Sequence, residues 1–153
     1  MIAVIQRVTA ASCVVDGETV GQCGNGLMLL LGVKAGDSEE DGRLLAAKIA
    51  KLRIFTDENG KMNLSVNDIG GGALVVSNFT LLANYAHGNR PDYLNAEKPE
   101  RAKALYLDFV SRLREMLVSH AVGEGVFGAD MHLTIENDGP VTIVMDSEIL
   151  KGN

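Results

Sequence analysis

Hydroxyl and amide side chains follow a strand-like apolar run at Ser77-Asn78-Phe79-Thr80-Leu81. Polar residues at the C-terminal end of a buried strand lie where α/β proteins usually bind ligands. Ser77 and Thr80 could act as nucleophiles, but each would need a base. No triad signature connects them with the three histidines, His87, His120 and His132. The segment is either a ligand site or a strand end whose hydroxyls bond the backbone, and its local sequence favours the second interpretation.

A second candidate is Asn137-Asp138-Gly139-Pro140-Val141-Thr142. Its composition is typical of a hairpin turn, which is the interpretation that the local sequence favours. A Gly-Pro bond can, however, be cis at modest cost. A cis bond would turn the neighbouring carbonyl oxygens in a direction that a trans turn does not allow, and rigid carbonyls of this kind could recognise an ammonium group.

A third candidate is the loop His87-Gly88-Asn89-Arg90-Pro91, which could bind phosphate or ribose through its arginine or could be an ordinary solvated loop. The carboxylates Asp37, Glu39, Glu40 and Asp41 are interpreted as a solvated helix start, because acidic side chains suit the positive end of a helix dipole. No cluster has a convincing metal-ligand spacing, so we expect no metal and no cofactor.

The N-terminal third of the chain reads as strands. Alternating apolar residues predict strands over 2–8 and 12–16, a turn at Asp16-Gly17, a returning strand over 18–23 and a buried strand over 27–33. Gly21, Gly24 and Gly26 lack the G-x-G-x-x-G spacing and no helix follows them, so they indicate a hairpin or bulge and not a phosphate loop.

Helical signals begin at Ser38, which forms a capping arrangement with Asp41 ahead of an apolar periodicity reaching Leu52. Pro99 opens a second predicted helix at a favourable first-turn position. Between them the sequence predicts a short strand over 53–55, a turn over 57–60, a strand over 73–77 and a long loop over 83–98, a length that is often functional. The last two predicted strands cover 131–135 and 141–145.

This element order predicts one mixed α/β domain over residues 1–153, built from layers of sheet and helix. Two helices cannot cover a sheet of this many strands. We therefore expect the sheet to curl on itself or to be buried by a partner, and a homodimer is the economical arrangement.

Composition limits the possible functions. The chain has 153 residues, 46% hydrophobic and 22% charged, with a net charge of −6, 5% aromatic residues and no Trp. A protein that coats a duplex is usually basic, and a stacking platform needs several aromatics, so this chain is expected to touch at most an RNA end. Cys13 and Cys23 lack zinc-site spacing and are expected to be reduced. No signal peptide or membrane-spanning stretch is evident, which predicts a cytoplasmic protein.

Taken together, the motifs resemble the bacterial and eukaryotic D-aminoacyl-tRNA deacylases over nearly the whole length. The resemblance rests on Ile5-Gln6-Arg7-Val8, Gly26-Leu27, Leu52-Arg53-Ile54-Phe55, Lys61-Met62-Asn63-Leu64-Ser65, Val76-Ser77-Asn78-Phe79-Thr80-Leu81, Gly88-Asn89-Arg90-Pro91, Phe127-Gly128-Ala129-Asp130-Met131 and Asn137-Asp138-Gly139-Pro140-Val141-Thr142. Each match is weak, but their shared order is specific.

The resemblance implies a strand-rich, layered β/β/α fold whose sheet core is completed in a homodimer. It implies that Ser77, Asn78, Phe79 and Thr80 form the catalytic segment and that Met131 and Arg7 contact the substrate. Gly139-Pro140 would be cis and would reach the partner's site as a chirality filter. The family usually has Gln where this chain has Asn78, one methylene shorter, which shifts the fine geometry but not the reaction class.

The expected reaction is hydrolysis of the ester that joins a D-amino acid, or glycine, to the 3′ end of tRNA. Backbone N–H groups near Phe79 and Thr80 would stabilise the oxyanion, and the 2′-hydroxyl of the terminal ribose would help to activate water. Thr80 as a covalent nucleophile is the alternative mechanism. A non-catalytic nucleic-acid-binding module and a general small-ester hydrolase are alternative functions, and no binding to DNA or to membranes is expected.

Overall fold

The fold is organised around its first strand, β1 (Ile2–Val15), in the computed structural model, which describes residues 1–152. β1 forms antiparallel pairs with β2 (Glu18–Cys23), β3 (Gly26–Gly32) and β8 (His132–Asp146). The first half of β1 pairs with β3 and the second half with β2, whereas β8 follows the other edge along most of its length. One long strand thus holds three others in register.

The sheet nearly closes on itself. β6 (Gly72–Ser77) pairs parallel to β3, and β7 (Val122–Glu124) pairs parallel to β6, giving the order β2-β1-β3-β6-β7. The outer strands β2 and β7 then meet: a Cβ added to Gly123 would lie 2.8 Å from the carbonyl oxygen of Gln22. Glycine is needed at this crossing because the two backbones approach too closely for a side chain. Of the two arrangements that the sequence left open, a curled sheet or a sheet buried by a partner, the chain itself shows the curl.

Two long helices cover one face of the sheet. α1 (Glu39–Ala50) and α2 (Pro99–Met116) pack against each other, and their apolar faces meet inward-facing residues of the strands. Fully buried side chains of this layer include Ile5, Leu29, Leu45, Tyr106 and Phe109. Burying one side chain of this size contributes about 1.5–3 kcal/mol to the free energy of unfolding. This layer is the main apolar core because it contains most of the buried apolar side chains.

A smaller core lies on the other face of the sheet. It contains Val8, Ala11, Cys13, Met28, Leu74 and Val76, and Met131, Leu133 and Ile135 pack against it. Apolar residues of the central strands thus alternate between the two cores, which matches the period of a strand buried on both faces. The layered α/β class predicted from the sequence is confirmed.

A buried polar cluster ties the short third helix, α3 (Ser147–Lys151), to α1. The Ser147 hydroxyl donates to Asp41 Oδ1 over 2.6 Å, and the Lys151 ammonium lies 2.8 Å from the same oxygen. Burial by itself would raise the pKa of Asp41, but the hydrogen bonds from Lys151, Ser147 and Ser38 outweigh it and hold the pKa well below its usual range. The predicted cap of α1 is confirmed, since Ser38 and Asp41 form a reciprocal capping box.

The structure corrects the N-terminal strand pattern. The sequence predicts separate strands over 2–8 and 12–16, yet residues 2–15 form the single strand β1, and Asp16 lies in the following turn. The alternation is interrupted because the register against β8 shifts twice between Gln6 and Ala10, so the buried face changes within one strand.

The C-terminal prediction was also wrong in one respect. The predicted strands over 131–135 and 141–145 do not form a hairpin: residues 132–135 and 141–145 both pair with β1 in the same direction, within β8, and Met131 precedes the strand. Gln6 faces Thr142 and Val8 faces Asn137, so residues 138–141 stand opposite Arg7 alone and bulge out of the ladder. The turn-like composition of 137–140 therefore marks a bulge and not a reversal of the chain.

Smaller elements differ as well. The strand predicted over 53–55 is β4 (Phe55–Thr56), which pairs with β5 (Met62–Leu64) as a separate two-stranded sheet. The sequence pattern missed β5, β7 and α3, which are too short to show a periodicity. The prediction that α2 begins at Pro99 is confirmed. Cys13 and Cys23 are free thiols as expected, and burial raises the pKa of both.

None of the helices within residues 1–152 is long and apolar enough to cross a membrane.

Candidate functional site

A cavity of about 900 Å³ opens at the C-terminal end of β6. Three segments enclose it: the β6 end with the following 3-10 helix (Phe79–Leu82), the chain that leads into α2, and the residues that lead into β8. The lining includes Leu30, Ser77, Asn78, Phe79, Tyr93, Leu94, Glu97, Lys98, Phe127, Asp130, Met131 and Leu133. Its size suits a small ligand, and its position matches the strand-end site that the sequence predicts.

Asn78 shapes the cavity wall through its own backbone. Its N–H donates to the carbonyl oxygen of Leu31 over 2.8 Å, which extends the pairing of β6 with β3 by one residue. Its side-chain oxygen accepts the Thr80 N–H over 3.2 Å and also accepts the Thr80 hydroxyl. The asparagine therefore caps the 3-10 helix, and its short amide side chain is used within the segment.

The amides of the 3-10 helix are the candidate oxyanion donors. Phe79 occupies the first helical position, where helix geometry leaves an N–H without an intrahelical acceptor. The Thr80 amide is held by Asn78 through a hydrogen bond at the long end of the normal range. Phe79 is therefore the better-placed donor of the two predicted from the sequence, and Thr80 lies beside the cavity without lining it.

The cavity rim is aromatic and open. The Phe79 side chain is 57% exposed, and its ring meets Tyr93 edge to face with a centroid distance of 4.9 Å. Leu94 beside them is 85% exposed. Sequence reasoning placed Tyr93 and Leu94 in a loop without a role. The only signal that could have found them was the length of that loop.

Glu97 is the cavity carboxylate with the most defined partners. It accepts the Lys98 N–H over 2.9 Å and the Gly36 N–H over 3.1 Å, and the guanidinium of Arg101 lies 3.6 Å away. These backbone hydrogen bonds lower the pKa of Glu97. Since its oxygens are occupied, Glu97 braces the entry to α2 and is poorly placed to act as a general base. Sequence reasoning missed this residue.

Met131, which the sequence analysis places at the substrate, lines the cavity, whereas Arg7 and Gly139-Pro140 do not. Arg7 and Gly139-Pro140 come together in a separate cluster at the β8 bulge. Arg7 Nε donates to the Asp138 carbonyl oxygen over 3.0 Å, and Arg7 Nη1 donates to the Ile54 carbonyl oxygen over 2.8 Å. Arg7 thus anchors the bulge, and none of the three residues lines the cavity of its own chain.

The bulge itself is tightly built. The Gly139-Pro140 bond is cis, as expected. Asn137 Nδ2 donates to the Arg7 carbonyl oxygen over 2.9 Å and to the Val141 carbonyl oxygen over 3.2 Å. A Cβ added to Gly139 would overlap the backbone nitrogen of Val141 and lie 3.1 Å from its Cα. Only glycine fits at this position without a backbone shift.

The third predicted candidate, 87–91, forms the exposed tip of a hairpin beside the cavity and does not line it. The three histidines also lie outside the lining. Within residues 1–152 no group of three or more His, Cys, Asp or Glu side chains could hold a metal ion. The acidic start of α1 is used for capping and ion pairing. The solvated helix start expected from the sequence is wrong for Asp37 and Asp41, which are buried and form ion pairs with cationic groups.

The comparisons with known proteins agree with one another. A family described as D-Tyr-tRNA(Tyr) deacylase matches residues 4–146. A D-aminoacyl-tRNA deacylase from Persephonella marina is 58% identical over 150 residues, covering 98% of this chain and 100% of that protein. A protein of the same name from Deinococcus radiodurans is 53% identical over 146 residues, covering 95% and 99%.

Similar solved structures include the following two. One, described as c-Myc DNA Unwinding Element Binding Protein, superimposes with a TM-score of 0.90 at 41% identity, covering 95% of this chain and 98% of that chain. The other, described as a probable eukaryotic D-amino acid tRNA deacylase, has a TM-score of 0.79 at 17% identity with the same coverage. At that identity the second likeness concerns the fold alone.

Proposed function

This chain belongs to the D-Tyr-tRNA(Tyr) deacylase family, and from that premise we propose that its cavity holds the aminoacylated 3′ end of a tRNA. It is a hydrolase of D-aminoacyl-tRNA, and the reaction releases a free D-amino acid and the tRNA. The observation that carries the proposal is the strand-end cavity, whose wall is formed by Ser77, Asn78 and Phe79. We place the protein in the cytoplasm, where charged tRNA is used.

Water attacks the ester carbonyl carbon in the proposed mechanism. The carbonyl oxygen becomes an oxyanion, which the Phe79 N–H stabilises, with the Thr80 N–H as a second donor once it leaves Asn78. The bond from carbon to the ribose 3′ oxygen then breaks, and that oxygen takes up a proton. An oriented donor in a partly dry site typically contributes about 2.7–4 kcal/mol to such a step.

In the proposed mechanism the 2′-hydroxyl of the tRNA assists the attacking water, a role that a side-chain general base would otherwise fill. The histidines lie outside the cavity lining, and Glu97 is occupied by backbone N–H groups. The hydroxyl neighbours the reacting ester, so it is already positioned to orient the water and to relay a proton. Thr80 as a covalent nucleophile is the competing mechanism.

The chirality filter would come from a second copy of the chain. Gly139-Pro140 lies on a bulge that Arg7 braces, outside the cavity of its own chain, while the rim around Phe79 and Leu94 is exposed and apolar. In a homodimer the partner's bulge would close that rim. An L side chain would strike this wall, a D side chain would point to open space, and glycine would pass. Glycyl-tRNA is therefore also a proposed substrate.

A side-by-side assay of D-Tyr-tRNA and L-Tyr-tRNA tests the function. We expect rapid release of D-Tyr, release of Gly from Gly-tRNA, and L-Tyr-tRNA that decays at the uncatalysed rate. Equal rates on the D and L esters would contradict the filter. Equal rates on charged tRNA and on free amino-acid esters would instead support a general ester hydrolase.

A tRNA with a 3′-terminal 2′-deoxyadenosine tests the mechanism separately. Removal of the 2′-hydroxyl should lower the single-turnover rate by the contribution of a proton-transfer group, about 10²–10⁴-fold. An unchanged rate would exclude RNA assistance while leaving the reaction class intact.

The name of one similar structure, c-Myc DNA Unwinding Element Binding Protein, raises DNA binding as a second candidate function. The net charge of −6 counts against a chain that grips a duplex backbone. A salt titration separates the two, because a backbone binder shows a steep loss of affinity with rising salt.

A further inference from the structure

A hairpin projects from the cavity rim and has no role in the reaction proposed above. Asn84 and Asp92 form its stem by exchanging two backbone hydrogen bonds of 2.9 Å. The stem directly adjoins Tyr93, whose ring contacts Phe79 at the cavity. Residues 85–91 are all exposed, and Gly88 has a φ of 82°, which lets the chain turn back at the tip. We call residues 84–92 the rim hairpin.

Arg90, in the rim hairpin, differs from the other arginines of the chain. Those six, Arg7, Arg43, Arg53, Arg101, Arg112 and Arg114, all donate side-chain hydrogen bonds to carboxylate, carbonyl or amide oxygens. The Arg90 side chain makes no hydrogen bond or ion pair among residues 1–152. A guanidinium held on a built hairpin without an acceptor is available for an external anion, and its fork geometry suits phosphate.

The nearest carboxylate in the sequence, that of Asp92, does not pair with the Arg90 guanidinium. The carboxylate of Asp92 is engaged within the hairpin, accepting the Asn84 side-chain amide over 3.2 Å and the Leu94 N–H over 3.1 Å. Lys98 lines the cavity below the hairpin, and its ammonium makes no salt bridge among the described residues. The carboxylate of the neighbouring Glu97 accepts the N–H groups of Gly36 and Lys98 and forms an ion pair with Arg101. Arg90 in the rim hairpin and Lys98 in the cavity lining, which also contains the Asp130 carboxylate, are thus two cations without a salt bridge among the described residues.

These two cations meet a requirement of the proposed function, on which the inference rests. A chain with a net charge of −6 repels a polyanion in general, so the RNA must approach where cations are not neutralised. Residues 85–91 of the hairpin are exposed, and its stem adjoins Tyr93 at the cavity rim, so an RNA strand whose end enters the cavity can contact the hairpin.

We propose that the rim hairpin is the phosphate-binding element for the single-stranded 3′ end of the tRNA. Arg90 contacts a backbone phosphate near the tip, and Lys98 contacts one nearer the cavity. The element positions the RNA without reading its bases.

The direct test uses an uncharged RNA hairpin that ends in single-stranded 3′-CCA, with affinity measured by fluorescence anisotropy at several salt concentrations. Arg90→Ala should weaken binding roughly three- to tenfold and should reduce the slope of log affinity against log salt by about 0.7, the value for one single-strand phosphate. Arg90→Lys keeps the charge and should recover most of the affinity, whereas Arg90→Glu should lose more than Arg90→Ala.

Lys61→Ala is the matched control. Lys61 is an exposed lysine in the turn between β4 and β5, and its side chain has no partner among residues 1–152. The substitution removes the same charge but should leave both affinity and slope unchanged. Equal losses in Arg90→Ala and Lys61→Ala would show an effect of net charge and overturn the assignment of the hairpin, as would no loss in Arg90→Ala.

A kinetic ratio separates this inference from the proposed function. The value of kcat/KM is measured on D-Tyr-tRNA and on 3′-D-tyrosyl-adenosine, which carries the ester but no phosphate. Arg90→Ala should lower the ratio of the first value to the second by the same three- to tenfold. If the wild-type chain hydrolyses neither ester, the proposed function fails. If it hydrolyses charged tRNA and Arg90→Ala does not change the ratio, the hairpin assignment alone fails.

Discussion

Replacement of Thr80 by Ala discriminates most directly between the two mechanisms. In the structure the Thr80 hydroxyl donates to the side-chain oxygen of Asn78, which is an amide and therefore no general base. The same oxygen also accepts the Thr80 N–H, a bond that the substitution leaves in place. Loss of the hydroxyl thus removes one of two hydrogen bonds that orient Asn78.

One neutral hydrogen bond contributes about 0.5–1.5 kcal/mol. Even if all of this energy were felt in the transition state, the rate would fall at most about tenfold, since 1.36 kcal/mol corresponds to one power of ten. Loss of a covalent nucleophile costs far more, roughly 10⁴-fold or greater. The two mechanisms therefore differ by about three orders of magnitude in the expected result.

The assay is single-turnover deacylation of D-Tyr-tRNA with enzyme in excess, which isolates the chemical step from product release. Thr80→Ser is the matched variant, because it keeps a hydroxyl and removes only a methyl group. We expect Thr80→Ala and Thr80→Ser to lie within about tenfold of the wild type. A collapse of roughly 10⁴-fold in Thr80→Ala with activity retained in Thr80→Ser would refute the RNA-assisted reasoning and establish the hydroxyl as the nucleophile.

Three further predictions concern the filter, metals and pH. Gly139→Ala should fold and dimerise but lose most deacylation, because the new Cβ would overlap the Val141 backbone and displace the bulge. Mixing this variant with one impaired at Phe79 should restore activity toward the fraction of intact sites. If mixed dimers are confirmed and no activity returns, each site is built within one subunit. Dialysis against a chelator should leave the deacylation rate unchanged, and a loss restored by zinc or magnesium would be the contrary result. Because the pKa of Asp41 is depressed in the folded state, its contribution to stability should be fully present above about pH 4, the unfolded value, and should be lost as the pH falls through the lower folded value. Asp41→Asn should lower the free energy of unfolding by about 3 kcal/mol at neutral pH and flatten its dependence on pH in acid, as measured by urea denaturation from pH 2 to 7. If the acid dependence of stability is unchanged, it arises from other carboxylates.

Local sequence was sufficient for elements whose signals lie within one turn or one strand. Ser38 and Asp41 predicted the start of α1, and Pro99 predicted the start of α2, because capping is decided by a few adjacent residues. The apolar run ahead of Ser77 predicted a buried strand for the same reason. These predictions needed no knowledge of distant parts of the chain.

Signals failed where the deciding partner lies far away in sequence. The segment 137–140 has the composition of a hairpin turn, and only its pairing with β1 on both sides shows that it is a bulge in one strand. Likewise, β7 is a strand because its three residues meet β6, and a pattern of that length carries no period. Long-range pairing overrides local preference in such places.

The sequence by itself determined the reaction class, because ordered motifs such as 76–81 and 137–142 identify the family without coordinates. It also predicted that the proposed catalytic segment, 77–80, lies at a strand end. Only the tertiary structure decided which of these motifs meet: Met131, Phe79 and Tyr93 share one cavity, while Arg7 and Gly139 form another cluster on the same chain. The reason is physical, since proximity between motifs depends on register and curl, which are sums over many contacts that no single segment encodes.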